Sequence, residues 1–309
     1  LPYRKAGVGE SVRVEIRPEF TPYEHQLRAW RRLSDREGAE PEHTLVTTGT
    51  GSGKTESFLY PILDHCWRRR DEAGIKAILI YPMNALAADQ SQRVAEALWE
   101  DDRLKGEVRA AKYVGGQGEH AQSGPEHLQD KRSEIRANPP DILLTNYRML
   151  DLLLMRPQDR ALWRHNGPET LRYLVLDELH TYDGAQGSDV ACLIRRLKAR
   201  LGRPAGGSER GRICCVGTSA TIGGGSEASK AELREFAEKV FGASFEADSV
   251  VDESRRSIHD VLGDEPTDAF PSTDDPDLFD PSKYADLEEF PAAQAEAWFC
   301  QGVDRDPLA

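Results

Sequence analysis

Between residues 44 and 221, short apolar runs of strand length alternate with longer stretches whose apolar positions recur at helical spacing. That alternation is the pattern of repeated β-α units, so it predicts an α/β fold with a mostly parallel sheet and helices on both faces. The apolar runs place strands at residues 43–47, 76–81, 109–114, 141–145, 171–176 and 212–217. Helices are expected at 53–70, 85–100, 125–136, 147–154, 186–201 and 226–241, with Gly74, Gly106, Gly167 and Gly202 as stops. A further helix is predicted over 23–33, with Thr21 as N-cap and Pro22 at its first position. The pattern fades after residue 252. Residues 266–283 are rich in Asp, Pro and Ser and too poor in large apolar groups for a packed core. Helical spacing returns over 284–299, where Leu287, Phe290, Ala293 and Trp298 share a face. Three parts are therefore expected: an N-terminal extension (1–20), an α/β domain (21–251) and an acidic linker or insertion (252–309).

Composition narrows the class. The chain has 309 residues, 39% hydrophobic and 30% charged, enough for a large core. No apolar run approaches the ~18 residues of a membrane span, and no apolar region follows the N-terminal charges. A soluble, cytoplasmic protein with no membrane partner is expected. The five cysteines, Cys66, Cys192, Cys214, Cys215 and Cys300, are odd in number and form no C-x-x-C pair, against a disulfide framework or zinc ribbon. Cys214 and Cys215 should be core residues of a strand. A start without Met and an end at Pro307-Leu308-Ala309 suggest a segment of a longer protein. The net charge of −13 would discourage a polyanion partner, but residues 252–309 hold 16 acidic against 4 basic residues. The body is thus nearly neutral, and a local groove in it can still bind nucleic acid.

Two motifs carry the chemistry. In Thr48-Gly49-Thr50-Gly51-Ser52-Gly53-Lys54-Thr55, between a strand and a helix, glycines let the backbone wrap an anion. Lys54 is placed to reach the β- and γ-phosphates of ATP, and the Thr55 hydroxyl to ligate Mg²⁺. The first position is Thr48 where the strict pattern has glycine. The second motif, Asp177-Glu178-Leu179-His180, ends the apolar run Leu174-Val175-Leu176. There Asp177 can hold Mg²⁺ and Glu178 can polarise a water. His180 should couple this site to Ser219 and Thr221. The runs Trp67-Arg68-Arg69-Arg70 and Arg195 to Arg200 read as cations at helix C-termini, and Trp30, Trp99 and Trp163 as core or interface aromatics.

With these motifs in this order, the chain resembles the superfamily 2 helicases of DExH type. Ser219-Ala220-Thr221 is similar to that family's S-A-T motif, and Tyr23-Glu24-His25-Gln26 to its Q motif, whose glutamine reads the adenine edge. Tyr81-Pro82-Met83-Asn84-Ala85-Leu86 with Asp89-Gln90 resembles motif Ia, Gly115-Gly116 the glycine pair, and Thr145-Asn146 motif Ib. The resemblance implies nucleic-acid contacts at Pro82, Asn84, Gln90, Gly115, Gly116, Thr145 and Asn146. It also implies a RecA-like P-loop NTPase domain, of which this is the first of two. Asp177 to Gly184, continuing through Arg195-Arg196-Leu197, looks most like the Lhr-type and Mrf-type branch, and so points to DNA. Nothing after Thr221 matches the second domain's arginine motif, so the segment alone should hydrolyse ATP poorly. Partners implied are DNA, a second RecA-like domain of the parent chain and other subunits of a defence or repair complex. An ATP-gated clamp or scaffold without strand separation is the alternative. A kinase or transporter ATPase would carry a lid or signature motif, which is not found.

Overall fold

The computed structural model describes residues 3–6, 14–49, 51–116, 118–202, 212–220 and 226–255. Thr50, Thr221 and the expected helix over 284–299 lie outside them. Among the described residues seven strands form one sheet: β1 (Thr44–Thr47), β2 (Ala77–Tyr81), β3 (Ala110–Tyr113), β4 (Ile142–Asn146), β5 (Tyr173–Leu176), β6 (Cys214–Ser219) and β7 (Val250–Asp252). Every pairing is parallel, in the order β3-β4-β2-β5-β6-β1-β7.

The strands are apolar at nearly every position because helices cover both faces. Ala77, Leu79 and Tyr81 of β2 enter one core with α1 (Glu24–Leu33), α2 (Lys54–Arg68) and α3 (Asn84–Glu100). Ile78 and Ile80 enter the other with α4 (Arg132–Ala137), α5 (Tyr147–Met155), α6 (Gly184–Arg200) and α7 (Glu227–Phe241). Cys214 and Cys215 are fully buried in β6, and Trp30 and Trp163 are core residues. Trp99 is half-buried under Lys105, whose Nζ lies 4.9 Å from the ring centroid.

Three expectations need correcting. Of the helix expected over 125–136 only Arg132–Ala137 forms. The residues before it run along β3, where Lys112 N–H donates to the Gln129 carbonyl at 2.8 Å and Ala111 bridges Gln129. Helix α1 starts at Glu24 behind Tyr23, not at Pro22, because Pro22 accepts from Ala6 N–H at 3.0 Å in an extended stretch. The sheet also has a seventh strand, β7, paired with β1. Lys5 bridges Tyr23, and β7 runs through to Asp252, which pairs with Thr47, so contacts cross both expected boundaries of the α/β domain. Among the described residues no helix is long and apolar enough to cross a membrane.

Candidate active site

The loop between β1 and α2 is fixed from beneath. His25 Nε2 lies 2.9 Å from the Ser52 carbonyl, and Gln26 Nε2 donates to the Gly53 carbonyl at 3.1 Å. The other end of the Gln26 amide accepts from Tyr23 N–H at 2.8 Å, and the side chain is buried. Gln26, expected at an adenine edge, thus holds the loop with one amide hydrogen and Tyr23 with its oxygen. Gly53 has φ +76°, and a Cβ there would meet Gln26 Nε2 at 2.2 Å, so the position admits only glycine without rearrangement. Thr48, the departure from the strict pattern, is buried and accepts from the Ser52 hydroxyl at 2.5 Å, closing the loop on itself.

Strand β5 brings the carboxylates to this loop. Lys54 Nζ stands 3.1 Å from Glu178 Oε1 across 124 residues of sequence. Glu178 has φ +49°, a left-handed conformation that the fold must impose on a residue with a Cβ; such strain gathers at functional sites. The Thr218 hydroxyl donates to Asp177 Oδ1, and Thr218 Oγ1 accepts from Glu178 N–H at 3.0 Å, so one hydroxyl fixes both acids. Burial pushes the Asp177 carboxyl up from its ordinary value. His180 Nδ1 lies 3.0 Å from Ser219 Oγ and 3.5 Å from Glu178 Oε2. Ser219 is buried at the end of β6 and Ala220 follows it exposed.

These residues fit a magnesium-bound nucleotide. Gly51 and Gly53, both at φ +76°, open the loop's backbone. Glu178 Oε2 is buried without a hydrogen-bond partner, and Asp177 is buried against Thr218. Thr55 Oγ1 donates to Gln90 Oε1 at 2.8 Å, which leaves its lone pairs available to a cation.

The ends of β2, β3 and β4 form a second, exposed edge. Asn146 Nδ2 donates to Asn84 Oδ1 at 2.6 Å, and Asn146 Oδ1 caps α5 through Met149 N–H at 2.7 Å. A Cβ on Gly115 would lie 3.2 Å from Asn84 Nδ2, and Gly116 is left-handed at φ +96°. Pro82, Asn84, Gly115, Gly116 and Asn146 thus share one edge. Two residues expected with them do not reach it. Gln90 is buried against Thr55, and Thr145 is buried with its hydroxyl donating to the Tyr113 carbonyl at 2.7 Å, which ties β4 to β3.

A family model described as DEAD/DEAH box helicase matches residues 23–228. The chain belongs to this family. Among curated proteins it is 29% identical over 299 residues to Druantia protein DruE of Escherichia coli (strain UMEA 4076-1), covering 65% of this chain and 16% of that protein. It is 33% identical over 176 residues to the Lhr helicase/uracil glycosylase of Escherichia coli K12, covering 53% and 11% respectively. Among solved structures, the DUF1998 helicase MrfA bound to DNA and AMPPNP aligns at TM-score 0.57 and 28% identity, over 81% of this chain and 30% of that one. Lhr-type and Mrf-type helicases are thus among its relatives, and the chain spans between about a tenth and a third of their length.

In this helicase domain two site neighbours were not expected from the sequence, Glu253 and Thr218. Glu253 Oε2, just past β7, accepts from Gly49 N–H in the phosphate loop at 2.9 Å, 204 residues away. Burial pushes its carboxyl up, and hydrogen bonds from Arg255 and Gly49 outweigh that, leaving it below the usual range. Thr218 could have been found from its place directly before Ser219-Ala220-Thr221.

Proposed function

We propose that this chain is the ATP-binding half of a DNA helicase or translocase, with residues 21–251 as its first RecA-like domain. The observation that carries the reading is the Lys54–Glu178 contact at 3.1 Å. It brings the lysine of a phosphate loop to the glutamate that would act on water, with Asp177 held beside it by Thr218. Lys54 and the loop N–H groups bind the phosphates, Thr55 and Asp177 hold Mg²⁺, and Glu178 orients the attacking water. Bound Mg²⁺ supplies positive charge against the phosphates. His180 passes the state of the site to Ser219, and through it to Ala220 and Thr221. Pro82, Asn84, Gly115, Gly116 and Asn146 hold the phosphodiester backbone, contacts that position a strand without reading its bases. A second RecA-like domain elsewhere in the full-length protein completes the site, which works in the cytoplasm.

The relatives' names and the DNA and AMPPNP in the MrfA structure support this reading. Lys54→Ala in the full-length protein tests it. ATP turnover should fall by about 10²–10³, the cost of removing one preorganised positive group. Unchanged turnover would refute the assignment.

A further inference from the structure

Two tyrosines lie between the nucleotide end and the strand edge, and no role has been given above to their hydroxyls. Tyr81 ends β2 and Tyr182 closes the turn after Asp177-Glu178-Leu179-His180; both are essentially fully buried. Both hydroxyls are buried without a hydrogen-bond partner, where phenylalanine would fill the same space at no such cost. Their positions are specific. Strand β2 runs between β4 and β5, with Tyr81 opposite Asn146 on one side. On the other side Ile80 pairs with Leu176, so Tyr81 stands next to Asp177, whose N–H donates to the Ile80 carbonyl at 2.9 Å. By strand alternation Tyr81 and Asp177 point to the same face. Tyr182 meets Tyr147, the residue after Asn146, edge-on with centroids 6.2 Å apart. Burial first and the Asp177 carboxylate second push both phenols up. The Arg93 charge acts on Tyr81 in the opposite sense.

We propose that Tyr81 and Tyr182 are positioning residues that couple the nucleotide site to the strand-binding edge, Tyr81 from its place between Asp177 and Asn146 in the sheet and Tyr182 from its place against Tyr147. A cation held by Asp177 would change the surroundings of the two unpartnered hydroxyls, and the rings would pass that change to Asn146 and Tyr147. The inference rests on the motor reading above and goes beyond it by naming the link. Both hydroxyls can be removed without changing side-chain volume, so packing and coupling are separable.

The test compares the full-length protein with its Tyr81→Phe and Tyr182→Phe variants. The quantity read is the factor by which Mg²⁺·AMPPNP changes the Kd for single-stranded DNA. DNA-stimulated ATP turnover and melting temperature are measured alongside. Each variant should melt no lower than wild type and bind DNA equally well without nucleotide. The nucleotide-dependent factor should fall toward one, and DNA stimulation by about tenfold, the size of one hydroxyl's polar interaction. An unchanged factor in both variants, with wild type responding normally, would overturn the coupling role and leave the motor reading standing. A melting temperature several degrees lower would make the hydroxyls structural and overturn it too. A wild type whose DNA affinity ignores nucleotide would sink both readings.

Discussion

At the ends of β1, β5 and β6 the site is charged, partly buried and cross-linked, whereas at the ends of β2, β3 and β4 it is neutral and open. Lys54, Asp177, Glu178 and Thr218 hold one another in fixed geometry. Across the sheet, Asn84 and Asn146 meet through their amides beside Gly115. The difference follows from the work proposed for each region. Charge that develops during phosphoryl transfer is stabilised best by groups already oriented in a dry site. A strand that must be released every cycle is held better by uncharged hydrogen bonds, which carry no sequence preference.

Several perturbations would break or sharpen this contrast. Glu178→Gln in the full-length protein should lower ATP turnover by about 10²–10⁴, the usual worth of a positioned base, while nucleotide binding persists. A turnover assay beside a fluorescent-nucleotide titration checks both halves of that statement. Asn146→Ala acts on the other region. It removes the cap of α5, costing about 0.5–2 kcal/mol of stability, and frees Asn84. Fluorescence anisotropy should show weaker binding of single-stranded DNA, with nucleotide affinity essentially unaltered.

A pH dependence of stability is expected from the opposite ends of β1 and β6, away from the phosphate loop. His43 Nδ1 accepts from Cys215 N–H at 3.0 Å, and burial, then Arg212, Lys198 and Arg32, lower the ring to about 3. The unfolded chain protonates this ring near its ordinary value of about 6.5, so folding stability is intact above that pH. It is lost as pH falls toward 3, by up to ~1.4 kcal/mol per unit from this one group. Burial also lowers His25 and His65, which adds in the same direction. Denaturant titrations from pH 7 to 4 should show the decline, and His43→Gln should flatten it.

The chemistry of the nucleotide region was legible because phosphate binding needs a fixed local spacing, Gly51-Ser52-Gly53-Lys54-Thr55, that survives in one stretch of chain. The six longer strands were legible because burial on both faces leaves uninterrupted apolar runs. Strand β7 was not: three residues between Ser249 and Glu253 become a strand only because β1 offers a free edge. The same dependence on distant partners hid the places of Gln26, Gln90 and Thr145. Each is a polar residue at the expected position of a motif, but a backbone or side-chain group elsewhere in the chain takes up its hydrogen bond. Nothing near Glu253 or Tyr81 in sequence announces the loop amide or the carboxylate that each adjoins.

The central claim is that the charged and neutral regions belong to one DNA motor. It is tested most directly by ATP hydrolysis of the full-length protein alone, with single-stranded DNA, and with RNA of equal length. Strong stimulation by DNA and little by RNA is the predicted result. Turnover that ignores both polymers would contradict the account, because the strand edge would then have no bearing on the site at Lys54 and Glu178.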